Sequence, residues 1–130
     1  MPRKRAVGNI IIPAKLYPER HEFETANVLV STGSNVIFIA PTLTKGARTP
    51  DIEYEGLTWE MKCPIGKSRW TIENQFKRAA RQSKNIILDI RHTKIPTEKA
   101  ISTALKLFKL KRLNRMMIVV DNNKILDFSK

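Results

Sequence analysis

The sequence has few of the residues that staple a small fold together or carry it into a membrane. Cys63 is its only cysteine, which excludes an internal disulfide framework and a four-thiolate zinc site within one chain. No apolar run approaches the roughly 18 residues of a membrane span. The early run Ile10-Ile11-Ile12, closed by Pro13, is too short for the core of a signal peptide. Internal repeats and low-complexity segments are absent, and so is any internal linker. Histidines number only 2, and acids only 12 against 24 Lys and Arg. Composition therefore describes a soluble chain suited to a reducing compartment.

With 130 residues, 42% of them hydrophobic, the chain has enough apolar surface for one packed core and is read as a single domain, 1–130, with a basic arm over 1–18. The formal charge is +12 and the pI is near 10.2. Such an excess points to a polyanionic partner, nucleic acid first and an anionic membrane second. The charge is also segregated. Glu19, Glu22, Glu24, Asp51, Glu53, Glu55 and Glu60 fall in one stretch, whereas Lys67 to Arg115 holds 14 basic residues against Glu73, Asp89 and Glu98. A basic protein that gathers its carboxylates in one place has a use for them there, and metal binding beside a phosphate groove is one such use.

Periodicity gives the order of elements. After a short strand at Asn9 to Ile12, a helix runs from Glu19 to about Thr32, with Phe23, Ala26, Leu29 and Val30 inward and Gly33 as its stop. Val36 to Ala40 is a strand. Pro41 to Thr49 is a polar loop with Lys45 and Arg48 at its tip. Residues 50–54 and 57–62 alternate as a hairpin about a Glu55-Gly56 turn of type I′. A helix follows from Arg69 to Ser83, capped by Ser68 or Thr71. Ile86 to Ile90 is apolar on both faces, as an interior parallel strand is. Thr97 caps a helix to about Arg112, and Met116 to Val120 and Ile125 to Phe128 close the chain as strands.

The hairpin carries the chemistry. A Glu55-Gly56 turn sets Asp51 opposite Glu60, with Ile52 opposite Trp59 on the other face. Facing residues have Cβ atoms about 4.5–5.5 Å apart, so two carboxylates there repel, and a divalent cation between them removes that cost. Lys62 shares the face of Glu60 by the period of two, where its ammonium can orient a water and stabilise phosphate charge. On the first helix Glu22 lies at the margin of the apolar stripe and Glu24 on the solvent side, which makes Glu22 the candidate third ligand. Gln75 occupies a similar margin on the second helix. An ordinary hairpin with its polar face in water is the alternative for the whole set.

Pro50-Asp51, then Glu60-Met61-Lys62, resembles the PD-(D/E)XK nuclease signature, and Gln75-Phe76-Lys77-Arg78-Ala79 resembles the QxxxA helix that accompanies it. The closer resemblance, from about Arg20 onward, is to the tRNA-nuclease C-terminal domain of CdiA-type contact-dependent growth inhibition toxins. It is carried by Glu22-Phe-Glu-Thr-Ala26, Pro50-Asp51-Ile52, Glu55 through Lys62 and Gln82 through Asp89. That resemblance implies an α/β fold with a restriction-endonuclease-like αβββαβ core and a mixed sheet, extended here by a C-terminal helix and β-hairpin. It implies Mg²⁺- or Mn²⁺-dependent hydrolysis of tRNA, with Glu22, Asp51 and Glu60 as acidic metal-site residues, Lys62 as the catalytic lysine and Gln75 as an accessory group. It further implies a cognate immunity protein and action in the cytoplasm of a target cell, after delivery as part of a larger protein.

Basic residues from the second helix onward, Lys77, Arg78, Arg81, Lys106, Lys109 and Arg112, are expected to hold the substrate backbone. Three other readings stay open. A DNA endonuclease or resolvase uses the same motif. A metal-free ribonuclease could use His21 and His92 as acid and base. A basic RNA-binding module explains the charge, though not the facing acids. Cys63 reads as a small residue at a strand end, Trp59 as core, and Trp70 as open to base stacking.

Overall fold

The computed structural model describes residues 6–41 and 49–130. The basic arm tip Arg3 to Arg5 and the loop residues Lys45 and Arg48 lie outside the described residues. In chain order the elements are β1 (Ile10–Ile11), α1 (Arg20–Val30), β2 (Val36–Phe38), β3 (Ile52–Tyr54), β4 (Leu57–Lys62), α2 (Arg69–Gln82), β5 (Asn85–Asp89), α3 (Thr97–Leu110), β6 (Arg115–Asp121) and β7 (Lys124–Ser129). From α1 to β5 the order is αβββαβ, followed by a helix and a hairpin.

The strands form one mixed sheet of 7 strands in sequence order. β2, β3 and β4 pair antiparallel. β4, β5 and β6 pair parallel, as the unbroken apolar run of β5 required, and β7 returns antiparallel beside β6. β4 is thus the strand at which the sheet changes from antiparallel to parallel.

Two cores lie on opposite faces. On one, α1 presents Ala26, Val28, Leu29 and Val30 to Ile52, Tyr54, Trp59, Met61, Ile87 and Met117. On the other, α2 and α3 bury Ile72, Phe76, Ala104 and Phe108 against Ile86, Leu88, Met116 and Ile118. Each side chain of this size contributes roughly 1.5–3 kcal/mol when taken fully out of water. Trp59 is fully buried and donates its indole N–H to the Tyr54 carbonyl at 2.9 Å; it is a core residue, not a stacking surface. Alternation in β4 then sends Glu60 and Lys62 to the opposite face, beneath α2.

The hairpin turn fixes this register. Glu55 and Gly56 have φ of 52° and 79°, the pair of positive angles a type I′ turn needs, and glycine meets the second without strain. The resulting partners are Tyr54 with Leu57, Glu53 with Thr58 and Ile52 with Trp59. Three details of the helices differ from the periodic reading. Phe23 is 40% exposed, because Thr25 and Val28 face inward with Ala26 and Leu29 and turn the buried side of α1 away from it. Pro96, not Thr97, is the N-cap of α3. That helix ends at Leu110, which leaves Arg112 beyond it.

Candidate active site

Glu60 sits at the centre of β4, buried to 5% exposure. Its Oε2 is 3.4 Å from Lys62 Nζ. Its Oε1 is buried with no hydrogen-bond partner among the described residues. A buried carboxylate oxygen without a donor is costly and calls for a proton, a water or a cation. The neighbour across the hairpin is Asp51, close enough for a hydrogen bond to Glu60 if one of the two carboxyls is protonated. Asp51 Oδ2 accepts the Met61 N–H at 2.8 Å, which fixes the carboxyl beside β4. Burial, then the charge of Asp51, push the Glu60 carboxyl up to about 8, against the downward pull of Lys62.

The strand end opens into a cavity of about 550 Å³ lined by Arg20, Glu24, Lys62, Cys63, Gln75 and His92, among others. Lys62 has 24% of its side chain exposed, so its ammonium joins the buried Glu60 to this hollow. Gln75 reaches the same hollow from the half-buried margin of α2. The structure therefore brings together Asp51, Glu60 and Lys62, with Gln75 on the adjoining cavity wall.

Glu22 is not brought to this group. Its Oε1 accepts the Glu19 backbone N–H at 2.9 Å, closing the first turn of α1 as a capping box does, and it clusters there with Glu19 and His21. The acid of α1 that lines the cavity is Glu24. By helical phase alone Glu22 belongs with the buried positions of α1 and Glu24 lies opposite them; the cap at the first turn draws Glu22 away, while Arg20 and His92 hold Glu24 at the cavity wall. Glu24 Oε1 accepts from Arg20 Nε at 3.0 Å, and its Oε2 lies 3.2 Å from His92 Nε2. The hydrogen bond from Arg20 holds the Glu24 carboxyl below its ordinary range, with His92 adding to it and partial burial opposing it.

A buried network stands behind that pair. Asp89, 1% exposed, accepts from Thr25 Oγ1 at 2.7 Å and from Arg91 Nη2 at 2.7 Å. Arg91 also donates to Asn122 Oδ1 at 2.7 Å. Burial works to raise the Asp89 carboxyl, but the bonds from Arg91 and Thr25 outweigh it and hold it below its ordinary range. Periodicity could not reveal these partners. A positional rule could have: they stand at the carboxyl ends of parallel strands, where α/β sheets place their ligands.

The expected backbone-holding residues Lys77, Arg78, Arg81, Lys106, Lys109 and Arg112 are all exposed, but they do not form one face. Arg78 is one helical turn from Gln75 and shares its side of α2. Lys77 points away and lies 4.0 Å from Glu73. Lys106 and Lys109 belong to α3, which packs beyond α2 over β6. Trp70 is 53% exposed in a separate groove with Lys99 and Lys106. Cys63 lines the same cavity as Lys62, but burial and then Asp89 push its thiol up to about 11, so it is not a nucleophile near neutral pH.

Comparison with known proteins adds three findings. A sequence model of the family described as contact-dependent growth inhibition CdiA C-terminal domain matches residues 48–125, a span that holds Asp51, Glu60, Lys62, Gln75 and His92. A solved structure, the CdiA-CT/CdiI toxin and immunity complex from Burkholderia pseudomallei, is similar with a TM-score of 0.70, covering 95% of this chain and 100% of that chain at 13% sequence identity. At that identity the likeness speaks for the fold alone. No curated protein matches the sequence.

Proposed function

This chain belongs to the CdiA C-terminal domain family of contact-dependent growth inhibition, and from that premise we propose that it is a toxin domain acting as a metal-dependent endonuclease on nucleic acid, with tRNA as the favoured substrate. The observation that carries the reading is the buried Glu60 carboxylate, one oxygen without a partner, facing Asp51 and flanked by Lys62. Two acids held together, one of them buried under a helix, destabilise a fold unless something positive is shared between them. The αβββαβ order and the Pro50-Asp51, Glu60-Met61-Lys62 motif support the same reading.

The donor set suits a hard divalent cation: carboxylate oxygens, one of them orphaned, with no soft ligand beside them among the described residues. Asp51 and Glu60 would hold Mg²⁺ or Mn²⁺. Such an ion, when bound, supplies a water of lowered pKa and a counter-charge for the phosphoryl group. The chain's own residues do the rest. Lys62 reaches from Glu60 into the cavity and places a point charge where negative charge develops on the phosphoryl oxygens. Gln75 offers an amide donor from the facing helix. Arg78, on the same side of α2, is placed to take a neighbouring phosphate.

Substrate choice rests on the charge and on the family. A formal charge of +12 favours a polyanion, and tRNA follows from the resemblance. The same excess charge suits an acidic immunity protein as partner. Action in the cytoplasm of a target cell follows from the toxin reading. The direct test is incubation of total tRNA and of duplex DNA with the protein in Mg²⁺ and in EDTA. Cleavage of tRNA in Mg²⁺ alone is expected. Asp51→Asn and Lys62→Ala should each lower the rate by about 10²-fold or more. Undiminished cleavage by both variants refutes the assignment, and cleavage of duplex DNA in preference to tRNA moves the substrate to DNA.

A further inference from the structure

The cavity beyond Lys62 holds a second ordered pair that the hairpin chemistry does not use. His92, on the loop after β5, meets Glu24 of α1 through its Nε2 at 3.2 Å, and Arg20 holds the other oxygen of Glu24 at 3.0 Å. Surface His–Glu contacts are common and mostly incidental, but this one is held in place on both sides. Thr25, next to Glu24, donates to the buried Asp89. Arg91, next to His92, donates to the same carboxyl through Nε at 2.9 Å and through its backbone N–H at 3.1 Å. Asp89 thus fixes the backbones that carry both partners. With Nε2 committed to Glu24, the ring nitrogen left for a substrate is Nδ1, in the same cavity as Lys62 and Gln75.

We infer that His92 is a further catalytic residue, a general acid that protonates the leaving ribose oxygen, and that Glu24 is its positioning residue. This rests on the nuclease reading and adds to it a group for the leaving side of the phosphate. Water oxygen bonds to phosphorus and loses a proton to solvent. The bond from phosphorus to the leaving oxygen breaks, its electron pair staying on that oxygen. The proton on Nδ1 passes to it, Nε2 keeps its proton toward Glu24, and the neutral imidazole regains a proton from solvent.

The test compares two substrates in Mg²⁺: total tRNA, whose leaving alkoxide needs a proton, and bis(4-nitrophenyl) phosphate, whose leaving phenolate does not. His92→Asn should slow tRNA cleavage by about 10²–10³-fold and leave hydrolysis of the nitrophenyl ester almost unchanged, which also shows that the variant is folded. His92 is faced by Glu24, Arg20 and His21 from α1 and by Lys62 and Cys63 from the end of β4, and it shares its loop with Arg91. Of these, Glu24 is the carboxylate in contact. Glu24→Gln should therefore lower kcat for tRNA severalfold with KM unchanged, and should spare the nitrophenyl ester. Equal losses on the two substrates in either variant make the pair structural and overturn the proposal. A His92→Asn variant that cuts tRNA at the wild-type rate while Lys62→Ala is inactive overturns the acid and spares the nuclease. Wild-type rates in Lys62→Ala remove both.

Discussion

Glu60→Gln should abolish a pH dependence of stability that the wild-type protein carries in the absence of metal. Burial and the facing Asp51 push the Glu60 carboxyl from an ordinary 4.5 up to about 8. Between those values the folded protein holds a proton that the unfolded chain has lost. The contribution is fully present below about 4.5 and is lost as pH rises through about 8, so stability falls with rising pH across the window. The limiting slope is about 1.36 kcal/mol per pH unit, or roughly 2–3 kcal/mol between pH 5.5 and 7.5. For a domain of this size that is a fall of about 10 °C in Tm. Other shifted groups stay out of this interval. Asp89 and Glu24 are held below their ordinary range, so their contributions are complete before it begins, and Cys63 at about 11 lies above it. Thermal unfolding in EDTA at pH 5.5, 6.5 and 7.5 reads the effect as a difference between wild type and Glu60→Gln. Adding Mg²⁺ at pH 7.5 should restore stability to the wild type, because the cation replaces the shared proton, and should do little for the variant. Parallel pH profiles in the two proteins, or equal responses to Mg²⁺, would refute the reasoning about this carboxyl.

Three further outcomes follow from the same geometry. Arg78→Ala should raise KM for tRNA severalfold and reduce the salt slope of binding by about 1, whereas Lys77→Ala, facing away beside Glu73, should change neither; steady-state kinetics at two salt concentrations separates them. Asp89→Ala removes the partner of Arg91, whose side chain is 14% exposed, and should cost roughly 3–5 kcal/mol in a urea titration. Cys63, with its thiol pushed up to about 11, should react with a disulfide reagent at pH 7.5 about 10²-fold more slowly than free cysteine, although it lines the cavity.

The hairpin was legible because its information is local. A two-residue turn sets the register by itself, and the register sets Asp51 against Glu60 and sends Trp59 to the other face. The parallel character of β5 was legible for a similar reason, since five consecutive buried positions leave no solvent face. The α1 contribution was not legible. Helix phase was inferred from four apolar residues, one of which, Phe23, is exposed, and the polar residue that belongs inside, Thr25, is buried by a hydrogen bond to a carboxylate 64 residues away. No periodicity reports a partner at that separation. His92 looked incidental in sequence because its partner, Glu24, lies on the side of α1 away from the apolar stripe, and only tertiary packing brings the two together.

The position of the carboxylates follows from where the sheet changes its cover. α1 packs on the face that holds Ile52 and Trp59, and α2 packs on the opposite face over β4 and β5. Asp51 and Glu60 both point to the α2 face, but only β4 lies beneath that helix. Glu60 is therefore denied water while Asp51 remains half-buried at the margin. Had α2 covered both strands, the two acids would lose their charge and bind no cation tightly. Had it covered neither, each would be an ordinary solvated carboxylate with weak affinity. Cover over one strand alone keeps an accessible acid beside a buried one with an unpartnered oxygen, and it leaves Lys62, two residues further along the same face, at the mouth of the cavity. The resulting electrostatic cost is fixed by backbone topology rather than by the choice of side chains around it, and a cation taken up there would offset it without the fold having to move.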